Sequence, residues 1–356
     1  MNNFYLGSKK IGENHPTYFI ADIAANHDGD LNKAIDLIYS CAKAGANAAK
    51  FQHFSADTIV SDNGFRDLDK KYLSHQGKWK KSVFEVYKDA SIDINWSLKL
   101  KKACNDAKID FLSTPYSFYL ADHLNKYVPA YKIGSGDINW IDFIAYVARK
   151  KKPVLLATGA STLNEVEETV KQIYKINKKL VLMQCNTNYT GNNENLKYIN
   201  LNVLKTYKKK FPKILLGLSD HTFGHASVLG AISLGARVIE KHYTLNNSSS
   251  GPDHYFSMNP ANWSDMINIS RELESCLGLK TKKVEFNERE TVIIQRRSAH
   301  AKININKNQK ILKKDIEFLR PSPKKSFKPN ELNKLVNKKS KKFIQKGKTI
   351  FYKDVF

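Results

Sequence analysis

The sequence predicts an α/β fold: a (β/α)₈ TIM barrel over residues 1–278, a linker over 279–295 and a small β-rich domain over 296–356. Three observations lead there. Short apolar strands alternate with amphipathic helices eight times from Tyr18 onward. No Gly-x-Gly-x-x-Gly follows the first strand, which argues against a dinucleotide-binding sheet. Past Gly278 the helical period stops, giving way to the charged run KTKKVEFNERET and then to short alternating segments with Asn/Lys turns.

The elements follow in order. Tyr18–Ala24 is strand-like and ends at the polar turn AANHDGD, with Asp22 at its close. Asp30 caps a helix whose apolar Ala34, Leu37, Ile38 and Cys41 share one face, and Gly45 stops it. ANAAKFQHF is the second strand, with Lys50 and Gln52 near its end. A polar and aromatic insertion then runs from Ser55 to about Ser91, containing Trp79 and VFEVYK. An insertion of that length in a compact fold belongs over a functional rim. A helix over Trp96–Ala107 leads to strand DFLSTP, closed by Ser113, Thr114 and Pro115. Strand AYKIGSGD carries Lys132, Ser135 and Asp137, and helix IDFIAYVARK and strand PVLLATG follow. Next come a helix over Thr162–Ile176, strand LVLMQCNTNY and a helix near Tyr198–Tyr207. LGLSDHT and ARVIEKHYTL are the last two strands, and a helix over Pro260–Cys276 closes the barrel.

Composition narrows the class. No apolar run reaches the length of a membrane span and the N-terminus MNNFYLGSKK lacks an apolar signal core, so a cytoplasmic protein is expected. The four cysteines, Cys41, Cys104, Cys185 and Cys276, are scattered without a CxxC pair and read as reduced thiols. The formal charge of +24 raises the question of a nucleic-acid or membrane partner. The lysines are dispersed and accompany abundant Asn and Ile, without the interleaved aromatics of a stacking platform, so neither partner is expected.

In a parallel barrel all strand ends reach one rim, and two strand ends here carry histidine: Ser219-Asp220-His221 and Glu240-Lys241-His242. A single strand-end histidine calls for no more than a hydrogen bond. Two on neighbouring strands read as ligands of one divalent ion, at His221 and His242. Lys50 and Lys132, with the hydroxyls of Thr114, Ser135 and Ser219, suit an anion bearing phosphate and carboxylate. Asp22, Asp137 and Asp253 offer carboxylates for sugar hydroxyls or acid–base steps, and Gln52 and Tyr189 add polar contacts. A metal-dependent aldolase or hydrolase on the same barrel is the other reading; the paired lysines argue against it.

The run FIADIAANHDGDL, then AAKFQHF, FLSTPYS, YKIGSGD, GLSDHT, IEKHYTL, GPD and FLRPSP, resembles the N-acetylneuraminate (sialic acid) synthase family along nearly the whole chain. That family joins a (β/α)₈ barrel to a small antifreeze-like (SAF) domain. The resemblance implies condensation of phosphoenolpyruvate with an open-chain N-acyl hexosamine, giving a nine-carbon 2-keto sugar acid and phosphate, with Mn²⁺ or Mg²⁺ on His221 and His242. It further implies that Lys50, Thr114, Lys132, Ser135 and Ser219 hold phosphoenolpyruvate and that Gln52, Tyr189 and Asp253 touch the sugar. Arg320, in FLRPSP, matches an arginine supplied by the partner subunit, which implies a domain-swapped homodimer. Asp22 and Asp137 stand where the family usually has Glu, and either can orient or deprotonate the attacking water. Ala157 replaces a serine, and Thr187-Asn188-Tyr189 replaces the usual Asn-x-Tyr, so the identity of the sugar stays open among sialic, legionaminic and pseudaminic acid precursors.

Overall fold

The computed structural model describes residues 3–73 and 76–356, so Met1-Asn2 and the Ser74-His75 pair of the expected insertion lie outside the described residues. The chain forms two compact units, Met1–Gly278 and Leu279–Phe356.

The first unit opens with a hairpin, β1 (Asn3–Leu6) and β2 (Lys9–Gly12), which the sequence reading did not contain. Eight parallel strands then close a barrel in the order β10-β3-β4-β5-β6-β7-β8-β9. They are β3 (Tyr18–Asp22), β4 (Ala48–His53), β5 (Asp110–Pro115), β6 (Tyr131–Ile133), β7 (Val154–Ala157), β8 (Leu180–Cys185), β9 (Leu215–Asp220) and β10 (Ala236–His242). Strands covered on both faces must be apolar almost throughout, and all of β3, β5, β8 and β9 is buried.

The helices are α1 (Leu31–Lys43), α2 (Ala56–Ile59), α3 (Asp62–Asp67), α4 (Val83–Ala90), α5 (Trp96–Asp106), α6 (Phe118–Leu124), α7 (Ile141–Arg149), α8 (Leu163–Ile176), α9 (Val203–Lys210), α10 (Ala226–Ser233) and α11 (Pro260–Leu277). Asp30 accepts hydrogen bonds from the Asn32 and Lys33 amides to start α1, which buries Ala34, Leu37, Ile38 and Cys41. Thr162 and Glu165 form a reciprocal cap on α8, and Pro260 occupies the first turn of α11 behind the Asn259 cap. α2, α3 and α4 all lie within the rim insertion.

Two apolar layers hold the barrel. One packs strands against helices, through Phe19, Phe51, Phe111, Phe143 and Trp263. The other fills the interior with Tyr18, Ile20, Leu112, Leu155, Val181 and Val238, and the hairpin adds Phe4, Leu6 and Ile11 to it. Asp110, at the start of β5, accepts from the Ser8 amide at 3.2 Å and from the Tyr18 hydroxyl at 2.7 Å. A Cβ on Gly7, at φ +58, would fall 2.1 Å from that carboxylate, so the turn tolerates only glycine. The hairpin thus covers the strand-start end, opposite the C-terminal rim.

Two expectations are corrected locally, and the linker gains detail. AYKIGSGD is not one strand: β6 ends at Ile133, and Ser135–Asp137 form a 3₁₀ turn that lifts Asp137 above the strand. The helix expected near Tyr198–Tyr207 is split into a 3₁₀ segment over Asn193–Tyr198 and α9, because Asn200 turns the chain at φ +48. The linker expected over 279–295 contains a 3₁₀ turn at Phe286–Glu288 and the short helix α12 (Thr291–Ile294).

In the second unit β11 (Ser298–Ala301) pairs antiparallel with β12 (Ile316–Leu319) over a core of Ala299, Ile305, Ile311, Phe327, Leu335 and Ile350. Among the described residues no helix is long and apolar enough to cross a membrane. Cys41, Cys104 and Cys185 are buried free thiols, and Cys276 is an exposed one.

Candidate functional site

Barrel register sets the site. Asp22 of β3 lies level with Lys50 of β4 on one side and His242 of β10 on the other, and Glu240 of β10 lies level with Ser219 of β9. The side chains meet accordingly. Lys50 Nζ is 2.7 Å from Asp22 Oδ2 and 3.6 Å from Glu240 Oε1, while Lys132 Nζ is 2.9 Å from the same Glu240 oxygen. Ser219 Oγ donates to Glu240 Oε1 at 2.9 Å. Two ammonium groups and two carboxylates therefore alternate in a line, each almost wholly buried. Any of these charges alone in such a place would be strongly destabilising; together they compensate.

The charges answer one another. Against its burial, Glu240 is held down at about 2 by Lys132 and Lys50. Burial and the neighbouring Glu240 raise Asp22 above the usual carboxylate range, although Lys50 pulls it the other way. Lys50 is raised despite burial by Asp22 and Glu240, so it keeps its charge. Asp137, half-buried, is pushed up to about 6 by desolvation, with Lys132 opposing. Asp253 is also pushed up to about 6 by burial, although its Oδ2 accepts from the Ala25 amide at 3.3 Å.

His221 and His242 face each other, ring centroids 5.2 Å apart at 55°. His221 Nδ1 lies 2.8 Å from the Asn186 carbonyl, which accepts only from a protonated nitrogen, so in the neutral ring Nε2 carries the lone pair. Burial, reinforced by His221, Lys50, Lys132 and Lys241, holds His242 well below the usual imidazole range and therefore neutral. Its Nδ1 is buried without a hydrogen-bond partner, 3.9 Å from Asp253 Oδ2, and its Nε2 is 3.6 Å from Asp22 Oδ2. For His221 burial is outweighed by Cys185 and the Asn186 carbonyl, which raise it above the usual imidazole range. Two facing imidazoles, that of His242 neutral and with an orphaned buried nitrogen, and flanking carboxylates fit a hard-to-borderline divalent ion. Among the described residues no group of three or more His, Cys, Asp and Glu side chains is drawn together closely enough to cage an ion.

The remaining candidates surround this line. Thr114 Oγ1 and Glu240 Oε2 are buried without partners and free to meet a ligand. Ser135 Oγ accepts from the Gly159 amide at 2.9 Å. A Cβ on Gly159 would strike Thr187 Cγ2 at 2.6 Å and Ser135 Oγ at 3.0 Å, so glycine lets three loops converge there. Gln52 lies two residues beyond Lys50, level with Thr114 and half-buried. Tyr189 packs over His221 at 4.5 Å and beside Phe256, itself 4.9 Å from His242. Arg320 is exposed in the second unit, just past β12.

Sequence reasoning gave no role to Glu240, the hub of the network, nor to Phe256 or Tyr116. The signal for Glu240 was its position two residues before His242, on the same strand face. The intervening Lys241 points the other way, paired to Asp220 Oδ2 at 2.6 Å and donating to the Thr222 carbonyl. Tyr116 reaches the site with Phe54, 5.8 Å away, and that ring contacts Tyr87 of α4 at 5.4 Å.

Comparison with known proteins places this geometry. The model of the NeuB family matches residues 37–282, and that of the SAF domain matches residues 296–355. The chain is 31% identical to the N,N'-diacetyllegionaminic acid synthase of Legionella pneumophila, across 98% of this chain and 97% of that one. It is 29% identical to the human N-acetylneuraminate-9-phosphate synthase across 96% of this chain and 93% of that one. Among solved structures, the N-acetylneuraminic acid (sialic acid) synthetase of Leptospira borgpetersenii superposes with a TM-score of 0.71 at 29% identity, over 82% of this chain and 95% of that one.

Proposed function

The chain belongs to the NeuB family, and from that premise we propose that its barrel condenses phosphoenolpyruvate with the open-chain aldehyde of an N-acyl hexosamine, releasing phosphate and forming a nine-carbon 2-keto sugar acid. The observation that carries the proposal is the buried line Asp22–Lys50–Glu240–Lys132 beside the two facing imidazoles.

Phosphoenolpyruvate brings a phosphate and a carboxylate, and two lysines held at fixed spacing by Asp22 and Glu240 are ready to bind both without first being desolvated. Glu240, ionised throughout the physiological range, keeps Lys132 and Lys50 aimed into the site. Thr114 Oγ1 supplies a hydrogen bond that nothing in the barrel uses. Gln52, Thr187, Tyr189 and Asp253 border the space where the aldehyde-bearing sugar would lie. Carbon three of phosphoenolpyruvate attacks the aldehyde carbon, water adds at carbon two, and the resulting tetrahedral centre expels phosphate. Asp137, with its proton affinity near neutrality, is matched to hold the proton lost by that water. Asp22 is tied to Lys50 and is better suited to positioning it. His221 and His242 would hold a divalent ion, Mn²⁺ or Mg²⁺, whose Lewis acidity polarises the aldehyde oxygen. Fixing both reactants on one rigid rim can supply several kcal/mol of the barrier reduction.

Arg320 enters through the family resemblance, as a residue given by one subunit of a homodimer to the acyl group in its partner's site. An assay of phosphate release from phosphoenolpyruvate over a panel of N-acyl hexosamines tests the whole reading. Acceptor-dependent release is expected. Cleavage of a keto acid or an ester without phosphoenolpyruvate would favour a metal-dependent aldolase or hydrolase instead.

A further inference from the structure

Outside the line of charges, the first unit has a rim cavity of about 790 Å³ bounded by the β3–α1 loop, the insertion and the β10–α11 loop. It adjoins the site directly. Asp253 Oδ2 accepts from the amide of Ala25, and Ala25 and Pro252 both line the cavity. Asp253, next in sequence to the lining residue Pro252, is itself 3.9 Å from His242 Nδ1.

Its chemistry differs from that of the inner site. Trp79, Val86 and Ala90 give it an apolar wall, the last two one turn apart on α4 and so on one face. Its charged groups are largely satisfied by each other or by neighbours. Asp28 pairs with Lys33 and with His254 Nε2 at 3.0 Å, and Asp89 pairs with Lys81 at 2.6 Å. Lys80 is exposed and is the cation in the lining without a carboxylate partner among the described residues. A phosphate ester calls for several convergent charge-assisted donors, as the inner site offers at Lys50 and Lys132. One exposed lysine beside an indole and two aliphatic side chains does not provide them.

We infer that this cavity receives the end of the acceptor sugar farthest from its aldehyde, and that this end is uncharged and partly apolar, a deoxy carbon or a second acylamino group, rather than a phosphate. The inference rests on the synthase reading above, and makes Trp79 and Val86 specificity-determining residues.

The test measures phosphate release with three acceptors: a diacetamido-trideoxyhexose, N-acetylmannosamine, and N-acetylmannosamine phosphorylated on its primary hydroxyl. The wild-type chain should use the trideoxy sugar with at least about tenfold higher kcat/KM than the phosphorylated one, the discrimination that one apolar contact region provides. Trp79→Ala and Val86→Asp should each lower kcat/KM for the trideoxy sugar by about ten- to two-hundredfold, with KM for phosphoenolpyruvate unchanged. That unchanged KM separates a pocket effect from misfolding. Lys80→Ala should leave the preference intact. A preference for the phosphorylated acceptor that Lys80→Ala abolishes would overturn the inference, as would turnover insensitive to both Trp79→Ala and Val86→Asp. Either result leaves the synthase reading standing. No release with any acceptor removes that reading and this inference together.

Discussion

Lys132 Nζ lies 2.9 Å from Glu240 Oε1, a contact between the fourth and eighth strands of the barrel and so across its interior. Through it a carboxylate with no place in the sequence-derived site holds in position a lysine that had one. Because Glu240 also lies 3.6 Å from Lys50 and accepts from Ser219, its removal should reach both lysines and that hydroxyl at once.

Glu240→Gln should therefore be costly to the fold as well as to turnover. Removing one partner of a buried ion pair typically costs about 3–5 kcal/mol, since the surviving charges lose their compensation. Urea unfolding of the variant should show a loss of that order. A midpoint unchanged from wild type would show that the lysines do not depend on this carboxylate.

Lys50→Ala and Lys132→Ala should each impair use of phosphoenolpyruvate. Loss of a hydrogen bond to a charged group costs about 1.5–3 kcal/mol, or roughly tenfold to more than hundredfold in kcat/KM for that substrate. Steady-state kinetics at saturating sugar provide the measurement, and unchanged constants in both variants would dismiss the assignment.

Chelation should abolish turnover, and Mn²⁺ or Mg²⁺ should restore it, if His221 and His242 ligate the ion. His242→Ala should weaken metal binding measured directly by calorimetry, independently of activity. Full activity in excess EDTA would rule out a required metal.

Asp137 gives a pH signature in stability. In the folded barrel its carboxyl keeps a proton up to about 6, whereas unfolded aspartate loses it near about 4. Between those values the native state binds more protons, so this group's contribution becomes unfavourable as pH rises from about 4 to 6. Asp137→Asn removes that loss. Its stability relative to wild type should be higher at pH 7 than at pH 4 by on the order of 1–2 kcal/mol, allowing for partial solvent screening. Denaturant titrations at the two pH values decide it; an equal difference at both would show that Asp137 is not perturbed.

Arg320 should act across a dimer. Mixing Arg320→Ala subunits with Lys132→Ala subunits should restore activity to one of the two sites in each mixed dimer, where an intact arginine meets an intact barrel. Mixed dimers that form without recovering activity would place the arginine's action within its own chain, or nowhere.

The sequence by itself determined the barrel and most of its rim. Local periodicity is enough for that: apolar runs of strand length, the Asp30 and Thr162 caps and the Gly45 stop each report on a few neighbouring residues. Strand-end position then placed Asp22, Lys50, Lys132, Ser219, His221 and His242 on one rim, since parallel strands share a direction. Which side chains answer one another was decided only by closure of the barrel. Residues as far apart as Lys50 and Glu240 meet through register between β10, β3 and β4, which no local pattern encodes. The same holds for the opposite roles of Glu240 and Lys241, adjacent in sequence but on opposite faces of one strand. The hairpin over the strand-start end was hidden for a related reason: its turn depends on a partner in another part of the fold, as Gly7 depends on Asp110.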